Sequence, residues 1–431
     1  MINHSPKAII ISIGDEIMIG QILDTNSQWL SQQLTTIGFI VSQKLSIPDI
    51  KEVIENEVLN AWNDYDLVIT TGGLGPTNDD LTVESIAHAF NSDLIYDQSI
   101  EDHIQNLFQR RGRVMNDLNK KQALIPDGFS IIWNDIGTAP GLLRKNERKM
   151  LAVFPGVPVE MKEMFNNHFK NVAIEHFKVE KLNFKTILTM GIGESVLADK
   201  LKDWESKLPS NIKLAYLPSF GSVRLRLNGL SDSISQEDLE NQFLKIVPLL
   251  GKNLVAWNDY TPEKALAEYL KYFNLSLSTA ESCTGGALSS AIVSISGSSS
   301  FFKGSVVAYS NEVKMKILGV NPSTLETYGA VSEECVNEMS MAVSKLFDTD
   351  ISISISGIAG PEGGTESKPV GTVWLSLFLK NELSSKKLHL TNLRDYNIKA
   401  SVNQAIFMIL EALNNQFGNQ FLFDKTETHL N

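Results

Sequence analysis

A serine at a bend between two different apolar repeats is the best-placed nucleophile in this chain. Ser282 stands in Ala280-Glu281-Ser282-Cys283-Thr284-Gly285-Gly286. Before it, Leu275, Leu277 and Thr279 alternate with small polar residues, the period of a half-buried strand. After it, Ala287, Leu288, Ala291 and Ile292 recur at helical spacing. Gly285 and Gly286 let the backbone turn, and free amides from Thr284 to Gly286 at a helix start attract an anion or stabilise an oxyanion. The competing reading is structural, with Ser282 or Thr284 as an ordinary helix cap. Cys283 is the rival nucleophile, because a thiolate is intrinsically more reactive.

Such a hydroxyl needs something to take its proton. No Asp-His pair accompanies it, and the candidates are Tyr309, at the end of the next strand, and Lys314, in the first turns of the next helix. A lysine at its ordinary pKa of about 10.4 is neutral in only roughly one molecule in a few thousand at pH 7. Lys314 is therefore a base only if burial or a nearby cation lowers that value. Otherwise it steadies the tyrosine hydroxyl, binds a phosphate, or is simply solvated. A second glycine-rich loop, residues 357–364, begins at Gly357 and includes Gly360. Its backbone amides, or Arg394 near the last helix, would suit a phosphate. Ser299 and Asn311 are weaker candidates for orienting a substrate and equally good caps.

A different chemistry gathers near the N-terminus. Gly72-Gly73-Leu74-Gly75-Pro76-Thr77-Asn78-Asp79-Asp80 follows a strand-like run, as do Gly14-Asp15-Glu16 and Pro155-Gly156-Val157-Pro158; Gly137-Thr138-Ala139-Pro140-Gly141 is a further loop of this kind. Amides of Gly72, Gly73, Gly75 and Thr77 can face phosphate, with Asp79 and Asp80 holding a divalent cation beside it. Sharp turns with an aspartate capping the next helix are the structural alternative.

The elements that must position these residues alternate strictly. Residues 8–13, 39–47, 66–71 and 150–154 read as strands, and residues 48–62, 81–90 and 100–111 as helices. A further helix through Trp29, Leu30, Leu34 and Ile37 is capped near Thr25 or Asn26. This is an α/β pattern, a doubly wound domain over about residues 1–170 whose ligands sit beyond the strand ends. Residues 171–255 form a small α+β module, and residues 256–423 a second α/β domain ending in a helix over about 396–413. The chain beyond about Phe423 is a polar, frayed tail.

Composition narrows the function classes. The chain has 431 residues, 43% hydrophobic and 20% charged, enough for about three domains. A net charge of −12 argues against broad binding to nucleic acid or an anionic membrane. Two cysteines, Cys283 and Cys335, make neither a disulfide framework nor a thiolate metal site. With no apolar run of spanning length, a cytoplasmic enzyme is expected.

Residues 70–82, with Gly14-Asp15-Glu16, Asp24-Thr25-Asn26 and Phe154-Pro155-Gly156-Val157-Pro158, resemble the molybdopterin-binding-like domain of the CinA (competence/damage-inducible) family. That resemblance implies a metal-dependent ADP-ribose pyrophosphatase, besides an older idea of pterin binding. Residues 171–255 are similar to the family's KH-like module, although Gly191-Ile192-Gly193 does not match the Gly-x-x-Gly loop that RNA binding needs. A spacer or oligomerisation role is expected there. The Ser282 motif, Tyr309-Ser310-Asn311-Glu312-Val313-Lys314, Gly329-Ala330-Val331-Ser332, residues 354–361 and residues 368–373 look like the C-terminal CinA domain. That domain implies deamidation of nicotinamide mononucleotide (NMN) to nicotinate mononucleotide and ammonia, without a cofactor, in a homodimer. Two alternatives stand beside it: a pyrophosphatase with a vestigial deamidase domain, or a non-catalytic pterin- or nucleotide-binding protein linked to competence.

Overall fold

The structure is a computed structural model that describes residues 6–77, 79–179, 183–230, 233–418 and 422. The expected tail beyond Phe423 lies outside them, as does Asn78. The chain divides into two compact units, residues 1–182 and 183–431.

The first unit is built on the Ile-rich strand Lys7–Ile13, buried on both faces after its first residue. A continuous apolar run is what a central parallel strand requires. It pairs in parallel with Ile40–Ile47 and Leu67–Thr71, and the latter with Met150–Phe154. Helices cover both faces over two separate apolar clusters, one around Ile54, Val58 and Ile86, the other around Leu30, Leu34 and Met161. The sheet then continues into two antiparallel strands, Gly141–Lys145 and Ser130–Ile132, which the sequence pattern does not single out. Gly141, expected in a loop, begins the first of them; a Cβ there would lie 2.7 Å from the Val153 carbonyl oxygen. Helix Thr25–Thr36 is capped by Asp24, which accepts from the Ser27 amide at 2.9 Å, so Thr25 and Asn26 lie inside the helix.

The second unit holds two sheets. The smaller is antiparallel, ordered Ile212–Ser219, Ser222–Gly229, Phe184–Met190 and Leu254–Ala256. Helices Glu194–Glu205 and Gln236–Leu244 send Leu197, Leu201, Leu239 and Phe243 into its core. The larger sheet runs Phe302–Val307, Leu277–Glu281, Ile351–Gly357, Thr372–Leu379, Glu382–His389, the first three parallel and the last two antiparallel. Its strand Ile351–Gly357 explains its own Ile/Ser alternation. Ile351, Ile353 and Ile355 enter the main core, while Ser352, Ser354 and Ser356 donate to the carbonyls of Ser340, Val336 and Ala330 at 2.6–2.7 Å. The first two of these carbonyls belong to helix Glu333–Phe347.

The smaller sheet packs against the last helix of the chain. Its Leu188 and Met190 share one apolar cluster with Ile406, Phe407 and Leu410 of the last helix, Arg394–Phe417. Asn414 Nδ2 donates to the Leu254 carbonyl at 3.1 Å, and Lys252 pairs with Glu411 at 2.6 Å.

Candidate active sites

Strand Leu277–Glu281 is fully buried between two parallel neighbours and delivers Ser282 at its carboxyl end. The Ser282 amide donates to the Ile355 carbonyl at 2.9 Å, which fixes the start of the turn. Gly285 (φ +61°) and Gly286 (φ +99°) then take left-handed conformations that only glycine adopts readily, and helix Ala287–Val293 follows.

A buried carboxylate organises this turn. Glu281, 0% exposed, accepts from Thr284 Oγ1 (2.8 Å) and from the amides of Gly286 (3.0 Å), Leu288 (3.1 Å) and Ser289 (2.8 Å), and from Ser289 Oγ. The expected oxyanion donors are corrected by this. The Gly286 amide belongs to Glu281 and the Gly285 amide to the Ser282 carbonyl (3.0 Å), which leaves the Thr284 amide without an acceptor among the described residues. Glu281→Ala is expected to lower stability by about 3 kcal/mol, since several buried donors lose their acceptor together. Denaturant unfolding measures it, and a loss below about 1 kcal/mol would mean that water substitutes for the carboxylate.

Lys314 meets Ser282 inside the protein. It lies on helix Asn311–Leu318, is 1% exposed, and its Nζ is 3.0 Å from Ser282 Oγ, 2.7 Å from the Ala308 carbonyl and 3.4 Å from the Tyr309 carbonyl. No carboxylate pairs with it among the described residues. Burial lowers its pKa below the ordinary lysine value. Burial pushes the neighbouring Cys283 thiol up to about 12, with Lys314 only partly opposing the rise. Cys283 is therefore a protonated thiol packed into the core, which removes its advantage as a nucleophile.

The remaining expected residues divide. Tyr309 is 61% exposed, and its hydroxyl lies 3.4 Å from Arg394 Nη2; no hydrogen bond joins that hydroxyl to Ser282 or Lys314 among the described residues. Arg394 also donates through Nη1 to the Gly360 carbonyl at 3.0 Å, so Tyr309, Gly360 and Arg394 do come together. Gly357 ends its strand where a Cβ would lie 2.6 Å from Val373 Cγ2, and Gly360 has φ +92°. The loop is held from below by Asn397, 1% exposed, whose Nδ2 donates to the Ala359 carbonyl at 2.9 Å. Nothing in the sequence pattern points to Asn397. Ser299 is exposed in a short turn, and Asn311 is exposed at a helix start whose cap is Ser310.

The first unit carries a cleft of about 480 Å³ at the carboxyl ends of its parallel strands. Gly72, Gly73, Gly75, Asp79 and Asp80 line it. The loop, however, is held by its own aspartate. Asp80 accepts from the Gly75 amide (2.7 Å), the Thr77 amide (2.9 Å) and the Thr77 hydroxyl, while the Gly72 amide donates to the Phe154 carbonyl (3.0 Å). Of the four amides expected to face phosphate, only that of Gly73 has no acceptor among the described residues. Asp80 is thus the clamp of the loop here, and Asp79 stands exposed beside it.

Other acids join them. Glu16, Asp24, Asp49 and Glu160 line the same cleft, and among the described residues no lysine, arginine or histidine does. Burial raises the pKa of Asp49, opposed by the Asp15 amide and reinforced by the charges of Asp15, Glu16 and Asp80. Uncompensated negative charge of this kind fits a divalent cation with oxygen ligands. Asn26, 8% exposed, also lines the cleft, and its Oδ1 has no hydrogen-bond partner among the described residues. Those acids come from four separate loops and helices, so only the fold assembles them.

Known proteins match the chain throughout. Residues 9–174 match the family model of a probable molybdopterin binding domain, residues 184–253 that of the damage-inducible protein CinA KH domain, and residues 259–413 that of the CinA C-terminal domain. A CinA-like protein of Cytophaga hutchinsonii is 42% identical over 394 residues, 91% of this chain and 94% of its own length. One from Flavobacterium psychrophilum is 39% identical over 94% of this chain and 98% of its own. A solved competence or damage-inducible protein from Enterobacter asburiae is 39% identical over 35% of this chain and 96% of its own, with a TM-score of 0.35. No helix among the described residues is long and apolar enough to cross a membrane. With relatives this similar along nearly its whole length, the chain belongs to the CinA family.

Proposed function

We propose that the second unit hydrolyses the carboxamide of NMN to nicotinate mononucleotide and ammonia. The observation that carries this is the buried contact between Lys314 Nζ and Ser282 Oγ at 3.0 Å. A lysine without a carboxylate partner and with a lowered pKa is the base that a serine nucleophile needs when no histidine is present. Neutral Lys314 takes the Ser282 proton as Oγ bonds to the carboxamide carbon, while the Ala308 and Tyr309 carbonyls hold its remaining hydrogens. The tetrahedral oxyanion forms beside the Thr284 amide. Ammonia leaves with the proton carried by Lys314, and an ester links nicotinate to Ser282. Water then attacks that ester, Lys314 accepting its proton and returning one to Ser282 Oγ.

Arg394 suits the 5′-phosphate, since its guanidinium is exposed at the Gly360 loop and presents planar paired donors. Tyr309, hydrogen-bonded to Arg394, belongs with it on the substrate side rather than in the proton path.

The acidic cleft of the first unit supports a second activity, metal-dependent hydrolysis of the ADP-ribose diphosphate. A diphosphate would be repelled by six carboxylate side chains unless cations bridge them. Among the cleft acids Asp49, Glu16 and Asp79 would hold a divalent ion, which would have to draw together carboxylates that do not all lie within 4.8 Å of one another, and that ion would supply charge neutralisation and an activated water. Asp80 keeps the glycine loop in place. One sample assayed for both reactions, with and without EDTA, tests the pair of readings. Chelation is expected to abolish ADP-ribose hydrolysis and spare ammonia release. Deamidation lost on chelation and restored by a divalent ion would overturn the serine-lysine step.

A further inference from the structure

The two-residue turn Phe220-Gly221 of the smaller sheet reaches the first turns of helix Arg394–Phe417. It joins strands Ile212–Ser219 and Ser222–Gly229, with Gly221 at φ +72°. The Phe220 ring meets the Tyr396 ring edge to face, centroids 4.9 Å apart and planes at 73°. The Phe220 carbonyl accepts from Asn403 Nδ2 at 3.1 Å. The fit at the tip is close: a Cβ on Gly221 would lie 3.0 Å from the Asn403 Cβ. A second glycine, Gly191 (φ +70°), abuts the Phe407 ring of the same helix, where a Cβ would come within 2.3 Å. This module therefore grips the helix at Tyr396, Asn403 and Phe407.

The gripped segment is the one that faces the deamidase site. Arg394 and Asn397 hold the Gly360 and Ala359 carbonyls, and Arg394 holds the Tyr309 hydroxyl. Leu393, at the cap position, contributes no side-chain hydrogen bond to the helix start. Tyr396, two residues from Arg394, is 43% exposed even with Phe220 against it, and Phe220 is 39% exposed. Such a contact adds little to the core, yet it restrains a helix start from the side opposite its substrate-facing groups.

We propose that the Phe220-Gly221 tip is a positioning element of the deamidase site, restraining Arg394 through Tyr396 and so setting the affinity for the 5′-phosphate. The proposal rests on the NMN reading above. An aromatic pair gives directional contact beyond its buried area, and a guanidinium must be well aimed to engage a phosphate with two donors.

Phe220→Ala in the full chain is the test, with NMN and its phosphate-free nucleoside, nicotinamide riboside, as paired substrates. For NMN the expected result is a KM raised about fivefold at unchanged kcat, because interactions with a charged group are worth roughly tenfold or more and only part is lost. Turnover of the riboside should stay as it was. Tyr396→Ala should reproduce the effect, the double variant should exceed neither single one by much, and Phe220→Tyr should restore the KM. Calorimetric titration of NMN reads the same difference as affinity and works without turnover. Unchanged KM and affinity in Phe220→Ala overturn the proposal. So does an equal loss for both substrates together with a lower melting temperature, which would make the contact structural only. A native protein that binds NMN without releasing ammonia sinks the deamidase reading, while the affinity comparison still decides the role of Phe220. A native protein that neither binds nor deamidates NMN overturns both.

Discussion

Ser282→Ala should abolish ammonia release from NMN, lowering kcat by about 10⁴-fold or more, the scale on which loss of a nucleophile acts in serine hydrolases. Cys283→Ala should retain most activity. The two residues are adjacent and equally buried, each 7% exposed, so access does not separate them. Proton chemistry does. Ser282 Oγ faces Lys314 Nζ, whereas the Cys283 thiol lies in the apolar cluster, pushed up to about 12 by burial. A protonated thiol is a poor nucleophile, and among the described residues the Lys314 amine is hydrogen-bonded to Ser282 Oγ rather than to this thiol. Rapid-quench detection of a burst of ammonia, or mass spectrometry of a nicotinoyl ester on Ser282, would locate the covalent step. Full activity in Ser282→Ala combined with loss in Cys283→Ala would reverse the assignment. Circular dichroism guards against misfolding, and little is expected, because Ser282 anchors the turn through its amide rather than its hydroxyl.

The Ser282 bend was legible because three local signals coincide there: alternating residues before it, helical spacing after it, and two glycines between. Lys314 was legible as a candidate only. Its helix packs through Leu318 into a cluster with Cys335 and Met339 of helix Glu333–Phe347, a helix not assigned from sequence. That helix does carry an apolar stripe, Cys335, Val336, Met339 and Val343 at helical spacing, with Ser340 and Ser344 beside it. In the first unit the glycine loop and its aspartates were legible, and their roles were not. Asp80 clamping the loop is a local contact reaching back three to five residues, whereas Glu16, Asp49 and Glu160 gather around it through strand order, a long-range property that no local spacing encodes. Antiparallel strands of three to five residues at the sheet edge are too short for a periodic signal. The grip of the smaller sheet on the last helix joins residues about 180 positions apart.

Lys314→Met should reduce kcat/KM about a thousandfold, the range of a general base, without unfolding the protein. Methionine fills nearly the same buried volume, so packing survives and what is lost is the amine. Two opposing terms set the stability of the variant. The Ala308 and Tyr309 carbonyls lose a donor, while the protein no longer has to desolvate a basic group. The sign of the pH dependence separates these terms. Because the folded pKa of Lys314 is lowered from its ordinary 10.5, the unfolded chain binds more protons at this residue than the folded one. Its contribution to stability therefore improves as pH rises through the window between the lowered value and 10.5, by up to about 1.4 kcal/mol per pH unit. Unfolding free energy of the native protein should accordingly climb relative to Lys314→Met across that window and level off beyond it. The pH-rate profile of the native enzyme should rise through the same lowered pKa and reach its plateau below the ordinary lysine range. A stability difference that is flat with pH, or a profile that keeps rising to the ordinary lysine pKa, would mean that Lys314 stays charged in the fold and that another group takes the Ser282 proton.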